Sequence, residues 1–232
     1  MRKCLVLMIC ALVLSCKLFS QSTEVIRIKA GHDPSTGYSP YGFYRFAAFN
    51  EGVAVFKDGS ETVARFNYHE LNEEMQFIAT KGDTLAIADP LSIRYITLNN
   101  HLFYYLDGYL EVLINNQSLK LARKLRLNLS WEKIGGYGQP SPSGSIRSAN
   151  RIILGNTGKA LSLNQDLLIQ KDYSYYWIDQ YNTVFKATKG NLLKIVPPDR
   201  KLSVEDYLKK NKIDFRKETD LKTLHAFSLT VI

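Results

Sequence analysis

Cysteine is almost missing from this chain. Its 232 residues include three, Cys4, Cys10 and Cys16, all within the first sixteen positions. Downstream of Cys16 no disulfide framework, thiolate metal site or cysteine nucleophile can be assembled. Long apolar runs are missing as well. The uncharged run Leu5 to Leu14 falls well short of the roughly 20 residues a membrane-spanning helix needs. Complete catalytic signatures are also missing. His69-Glu70 opens like a zinc-peptidase H-E-x-x-H helix, but position 73 is Glu where the second histidine belongs. No Gly-x-Ser-x-Gly elbow occurs around Ser141, Ser143 or Ser145. Gly135-Gly136-Tyr137-Gly138 has no helix after it to aim amides at a phosphate. A βαβ rhythm is lacking too, which argues against a parallel sheet.

What is present begins at the N-terminus. Arg2 and Lys3 precede the apolar run, and Ser15-Cys16 and Ser20-Gln21 follow it. This is the layout of an export signal. Two cuts are open. Val13-Leu14-Ser15-Cys16 resembles the bacterial lipoprotein box, with Cys16 as the lipid-attachment residue and Leu14 bulkier than usual. Cleavage after Ser20, giving a signal peptide of residues 1–20, is preferred, although Leu18 is large for its position. The expected compartment is the periplasm, the outer membrane or the exterior. Contact with a membrane is expected only through a lipid on Cys16. The remainder, 21–232, is expected to form one domain without sulfur cross-links, and a chain of this length can bury enough surface to manage that.

The apolar fraction of 45% excludes bulk disorder. Fourteen Tyr and eleven Phe favour strands. The formal charge is +8; without residues 1–20 the chain keeps 27 basic residues against 22 acidic ones, about +5. The excess is local. Gln117 to Arg151 holds Lys120, Arg123, Lys124, Arg126, Lys133, Arg147 and Arg151 against Glu132 alone. Such a face suits an anionic lipid or acidic polymer, while a solvated strand face is the plainer explanation. Nucleic acid is not an expected partner, since no nucleic-acid module is recognisable.

Short alternating segments with Asp-Gly, Gly-Asp and Asn-Asn turns run from Gly52 to Ile114 and predict an antiparallel meander. Gly52–Lys57 with Thr62–Tyr68 is the clearest hairpin. Val25, Ile26 and Ile28 mark a first strand. Leu125, Leu127, Leu129 and Trp131 alternate as a half-buried strand, and Leu119–Lys124 stays open between strand and helix. Gly135–Asn150 reads as an exposed flexible loop. Ile152–Leu154, Tyr173–Ile178, Thr183–Ala187 and Leu192–Val196 read as strands. Ser203 with Asp206 suggests a capping box. Two short amphipathic helices then follow over 203–228, one carrying Val204, Tyr207 and Leu208, the other Leu221, Leu224 and His225. The expected fold is α+β, mainly antiparallel sheet (meander and hairpins), with the two C-terminal helices as a lid.

Phe66-Asn67-Tyr68, Leu71-Asn72 and Glu74-Met75-Gln76-Phe77-Ile78 resemble a segment common in uncharacterised exported proteins of Bacteroidetes bacteria. The stretch from Val204 to Leu221 resembles the closing segment of that group. The resemblance implies export and a mixed fold. It carries over no catalytic residue.

No catalytic residue, metal site or cofactor is expected. Tyr173, Tyr175 and Trp177 alternate onto one strand face, where a row of rings could stack on a glycan or meet an envelope protein; packing under the terminal helices is the plainer alternative. With Lys120, Arg123, Lys124 and Arg126 they form the candidate binding set. The segment His69 to Glu74 reads as a solvated turn. His101 and His225 sit in apolar patterns and read as packing residues. His32-Asp33 reads as part of an N-terminal loop. The function these features favour is a non-enzymatic binding or accessory component of the cell envelope. The alternative is a hydrolase with a histidine and carboxylates drawn from distant positions. Mass spectrometry of the mature N-terminus should find either Gln21 or a lipid-modified Cys16. An intact Met1 leader on a cytosolic protein would contradict both cuts.

Overall fold

The computed structural model describes residues 24–134, 140–145 and 165–231. The leader with Cys16, the expected strand Ile152–Leu154, Arg147, Arg151 and much of the Gly/Ser-rich segment lie outside the described residues. No described helix is long and apolar enough to cross a membrane.

Twelve described strands form one antiparallel sheet: β1 (Val25–Ile28), β2 (Asn50–Phe56), β3 (Glu61–His69), β4 (Glu74–Ile78), β5 (Thr84–Ala86), β6 (Ile93–Leu98), β7 (His101–Tyr105), β8 (Tyr109–Ile114), β9 (Leu119–Ile134), β10 (Pro140–Ser145), β11 (Leu167–Asp179) and β12 (Val184–Lys186). The order is β1-β11-β9-β8-β7-β6-β2-β3-β4-β5, with β10 beside β9 and β12 beside β11. Two meanders, β2–β5 and β6–β9, thus join where β2 pairs with β6. Turn chemistry sets the register. Asn99 and Asn100 both take left-handed backbone (φ 47° and 63°), the two-residue turn that matches strand twist. Gly108 has φ 111°. A Cβ there would meet only the far ends of the Lys124 and Glu73 side chains, which can shift, so it is the backbone conformation that requires glycine.

The helices are α1 (Pro34–Tyr38), α2 (Lys189–Ile195), α3 (Lys201–Asn211) and α4 (Glu218–Ser228). The α+β expectation holds: the molecule is mostly antiparallel sheet, with helices gathered near the C-terminus. The open stretch Leu119–Lys124 is strand along its whole length, because it pairs with both β8 and β11.

Three local expectations fail. Leu192–Val196 is no strand, because Lys189–Ile195 is α2. Thr188 Oγ1 accepts from Asn191 N–H at 3.3 Å, and four-residue spacing puts Leu192 and Val196 on one buried side. Ser203 is no cap. A 3-10 turn over Pro198–Arg200 leads into α3 two residues earlier, leaving Ser203 exposed within the helix. Part of the Gly135–Asn150 loop is regular after all: Pro140–Ser145 pairs with the far end of β9. Strand β8 stops pairing at Arg123, so β9 offers a free side there. An edge position tolerates the missing N–H groups of Pro140 and Pro142.

One face of β9 organises the interior. At its start, Leu119 and Leu121, with Tyr175 and Trp177 of β11, pack beneath Leu192, Val204, Leu221 and Leu224 of the helices. At its far end, Leu129 with Leu167 and Ile169 packs against Ile28, Tyr38, Phe43 and Leu71. A third cluster, including Phe66, Tyr68, Met75, Ile96 and Phe103, fills the side of the β2–β8 strands. His225 Nε2 donates to Leu119 C=O at 2.8 Å, and its ring stacks on Trp177. The lid is therefore joined to the sheet by a polar bond as well as by apolar contact. Leu224 is fully buried in this contact. Leu224→Ala should lower unfolding free energy by about 2–5 kcal/mol in urea titration, with the β-rich circular dichroism spectrum retained.

Candidate functional site

The two caps on β9 leave a stretch between them, and a cavity of about 130 Å³ opens there. Arg123 and Leu125 of β9 and Lys171 and Tyr173 of β11 form one side. Tyr109 and Glu111 of β8, Phe103 of β7 and Tyr68 of β3 form the rest of the sheet wall. Arg45 and Glu70 close it from connecting segments. Backbone bonds place these last two. Arg45 N–H donates to Tyr68 C=O at 2.9 Å, and Glu70 N–H donates to Phe43 C=O at 2.8 Å. The segment around Tyr44 thereby runs beside the end of β3 as a fragment of ladder.

Glu111 is the electrostatic centre of the wall. Arg45 Nη2 donates to its Oε1 at 2.9 Å; Arg123 Nη2 and Nε donate to its Oε2 at 2.9 and 3.2 Å. His101 Nδ1 lies 2.8 Å from Oε1. Burial alone would raise the pKa of this carboxyl, but the two guanidiniums outweigh it and hold the group below its ordinary value. Arg123 Nη1 also reaches Glu218 of α4 at 3.3 Å, so the cavity wall and the helical cap share one ion-pair chain.

Glu70 behaves differently. Tyr38 Oη donates to it at 2.5 Å. Burial is the strongest influence and pushes its pKa up, against the pull of Tyr38, Arg45 and Lys171. Tyr68 and Tyr109 are 4% and 3% exposed, and their hydroxyls find no partner among the described residues. Burial also raises both phenol pKa values far above the ordinary range, so both keep their protons. Two tyrosines with neutral hydroxyls and unused hydrogen-bonding capacity therefore line the cavity beside a paired set of charges.

The candidate residues from sequence divide sharply. Arg123 and Tyr173 reach the cavity, with the Arg123 guanidinium 5.5 Å above the Tyr173 ring. Tyr175 and Trp177 do not present rings to a partner; they lie buried under the C-terminal helices, the plainer of the two alternatives. Lys120, Lys124 and Arg126 occupy the other face of β9 and form no free basic surface. Lys120 Nζ donates to Asn182 at 3.2 Å. Lys124 lies 3.6 Å from Glu73, and Arg126 Nε donates to Glu73 at 3.2 Å. Glu73, with Asp107 3.8 Å from Lys124, answers Lys124 and Arg126 from turns distant in sequence, whereas Lys120 meets a neutral amide, so the fold sets acids beside part of the excess that a linear charge count sees.

The solvated-turn reading of His69–Glu74 also fails, since His69 and Glu70 are buried. His69 turns away from the cavity, accepts from Asn72 N–H at 3.1 Å and packs edge-on against Tyr44. His32 is exposed, and Asp33 is occupied capping α1 through Ser35 N–H at 2.7 Å. Among the described residues no group of three or more His, Cys, Asp or Glu is placed to hold a metal ion. A wider cleft of about 400 Å³ shares Tyr109 with the cavity, and its Glu73 is already engaged by Lys124 and Arg126. Sequence reading missed Tyr68, Tyr109, Glu70, Glu111, Arg45 and Lys171. One signal was available: Glu111 is a single carboxylate inside the apolar strand Tyr109–Ile114.

The chain matches no protein-family model, no curated protein and no solved structure.

Burial lowers the His69 pKa to about 4 from 6.5, against a weaker opposing pull from Glu74. Between those values the unfolded chain binds the extra proton. The stability contribution is therefore complete above about pH 6.5 and declines as pH falls toward 4, by on the order of 3 kcal/mol. His69→Gln, which can still accept from Asn72, should remove this slope. The difference between wild-type and variant unfolding free energies across pH 4–7 checks it.

Proposed function

We propose that this chain is a non-enzymatic binding component of the cell envelope, exported by its N-terminal leader, and that its ligand occupies the cavity between the two caps of β9. The observation that carries the reading is a cavity lined by two buried tyrosines, Tyr68 and Tyr109, whose hydroxyls have no partner among the described residues. An unsatisfied buried polar group costs about 1–3 kcal/mol, and a bound polar molecule would recover that cost at two points at once. The surrounding groups suit recognition better than turnover. Glu111 is clamped by two guanidiniums and Glu70 is held by Tyr38, so neither is free to exchange protons with a substrate. The alternative, a hydrolase that pairs a histidine with carboxylates, needs a histidine at the cavity. His69 and His32 point elsewhere, and His101, although it contacts Glu111, is not a lining residue.

The test is direct. The protein, isolated from its native host without denaturation, is acid-precipitated, and the supernatant is analysed by mass spectrometry. A small molecule near one equivalent should accompany wild type and be absent from the Tyr68→Phe/Tyr109→Phe double variant. Equal recovery from both, or none from either, would remove this cavity as the binding site.

A further inference from the structure

We propose that the segment between α1 and β2, residues 39–49, is an acid-sensitive strap over the cavity, closed while His69 is neutral and released when that imidazole takes up a proton. Its operation needs no ligand. The strap carries Arg45 to the cavity wall and to Glu111. It is held by separate bonds rather than by a continuous ladder. Arg45 N–H donates to Tyr68 C=O at 2.9 Å, and Glu70 N–H donates to Phe43 C=O at 2.8 Å. Phe46 N–H donates to Asn67 Oδ1 at 3.2 Å, and Tyr44 Oη donates to Gln76 Oε1 at 2.8 Å. His69 stands at this seam. Its backbone meets Tyr44 through one isolated bridge, and its buried ring packs against the rings of Phe43 and Tyr44, centroids 6.1 and 4.9 Å away.

Protonation is incompatible with this setting. Nδ1 accepts from Asn72 N–H at 3.1 Å, so the neutral ring carries its proton on Nε2. A second proton has to enter at Nδ1, where it faces another N–H. The bond to Asn72 is then lost, and a charge lies against two aromatic rings. Water reaches that charge only if one side of the seam moves. On one side His69 is anchored in the β3–β4 ladder opposite Glu74. On the other it meets the strap, whose few bonds make it the weaker partner.

The titratable groups against the ring are Glu74 of β4 and the Tyr44 phenol. Glu74 favours the imidazolium but is outweighed by burial, and burial keeps the Tyr44 phenol protonated. Glu70 acts with the opposite sign. Burial raises its pKa in the closed form, so its protonation favours closure. Glu111 would lose Arg45 on opening, and this adds to release only as carboxylates protonate below about pH 5. With His69 near 4 when closed and about 6.5 when solvated, the opening constant rises about twentyfold from pH 7 to pH 5.

The experiment is residue-resolved hydrogen exchange by NMR on the mature chain at pH 7 and pH 5, corrected for intrinsic exchange rates. In wild type the Arg45, Phe46 and Glu70 amides should lose protection about twentyfold at pH 5, while amides of the β9–β11 ladder keep theirs. In His69→Gln, which can still accept from Asn72, strap protection should stay level or rise. Unchanged protection of the three amides in wild type overturns the proposal. So does an equal loss along β9–β11, which would mark global unfolding, or a loss confined to Asn72, which would mark opening of the turn alone. A twentyfold loss retained in His69→Gln assigns the release to another group and also overturns it. If the variant does not fold, the wild-type pattern decides alone.

Discussion

Residue-for-residue pairing of β9 with β11, from Leu119 opposite Asp179 to Trp131 opposite Leu167, is the constraint on which the rest of this molecule depends. A two-residue side-chain period along so long a ladder sends Leu119, Leu121, Arg123, Leu125, Leu127 and Leu129 to one face. A slip of one residue would exchange that face for Lys120, Ala122, Lys124, Arg126 and Asn128. The apolar ends of the stripe then attract separate covers, the C-terminal helices at one end and α1 with its flanking loop at the other. The cavity is what remains between two covers that do not meet. Its position follows from Arg123, the one charged side chain in this run of leucines.

Arg123 in turn explains Glu111. A carboxylate in the middle of an apolar strand is expensive to desolvate, and a single cationic partner rarely repays the cost. Here two guanidiniums converge on it, one from β9 directly opposite and one from the segment before β2. The arrangement ties a loop to the sheet, and through Glu218 it ties α4 to the same network. Removing Glu111 would leave the Arg45 guanidinium without its carboxylate partner and Arg123 with Glu218 alone. The network thereby restrains the charged side chains of the wall.

Against that restraint the two free phenols stand out. Tyr68 and Tyr109 contact each other edge to face across the cavity wall, which fixes their rings through packing. Their hydroxyls are consequently held at set positions without a hydrogen bond to hold them there. Ordered donors with no internal acceptor leave the cost of their desolvation unrecovered within the described residues.

The hairpins of the first half were legible in the chain itself, because Asp58-Gly59 and Asn99-Asn100 specify turns locally and alternation over Thr62–Tyr68 specifies a face. The helical character of the C-terminus was legible for the same kind of reason, from Val204, Tyr207, Leu221 and Leu224 at helical spacing. Leu192–Val196 was misread because five apolar-rich residues suit either period, and the deciding cap at Thr188 lies outside them. The residues around the cavity were the least legible. Tyr175 and Trp177 share a strand face with Tyr173, yet helices from residues 189–228 cover the first two and leave the third beside the cavity. Lys120, Lys124 and Arg126 looked like a basic surface until Glu73 and Asn182 arrived from distant turns. Local periodicity and turn chemistry thus determined which elements form. Which faces meet, which charges cancel and which hydroxyls are left over depend on contacts between residues far apart in sequence, and only the tertiary structure decided those.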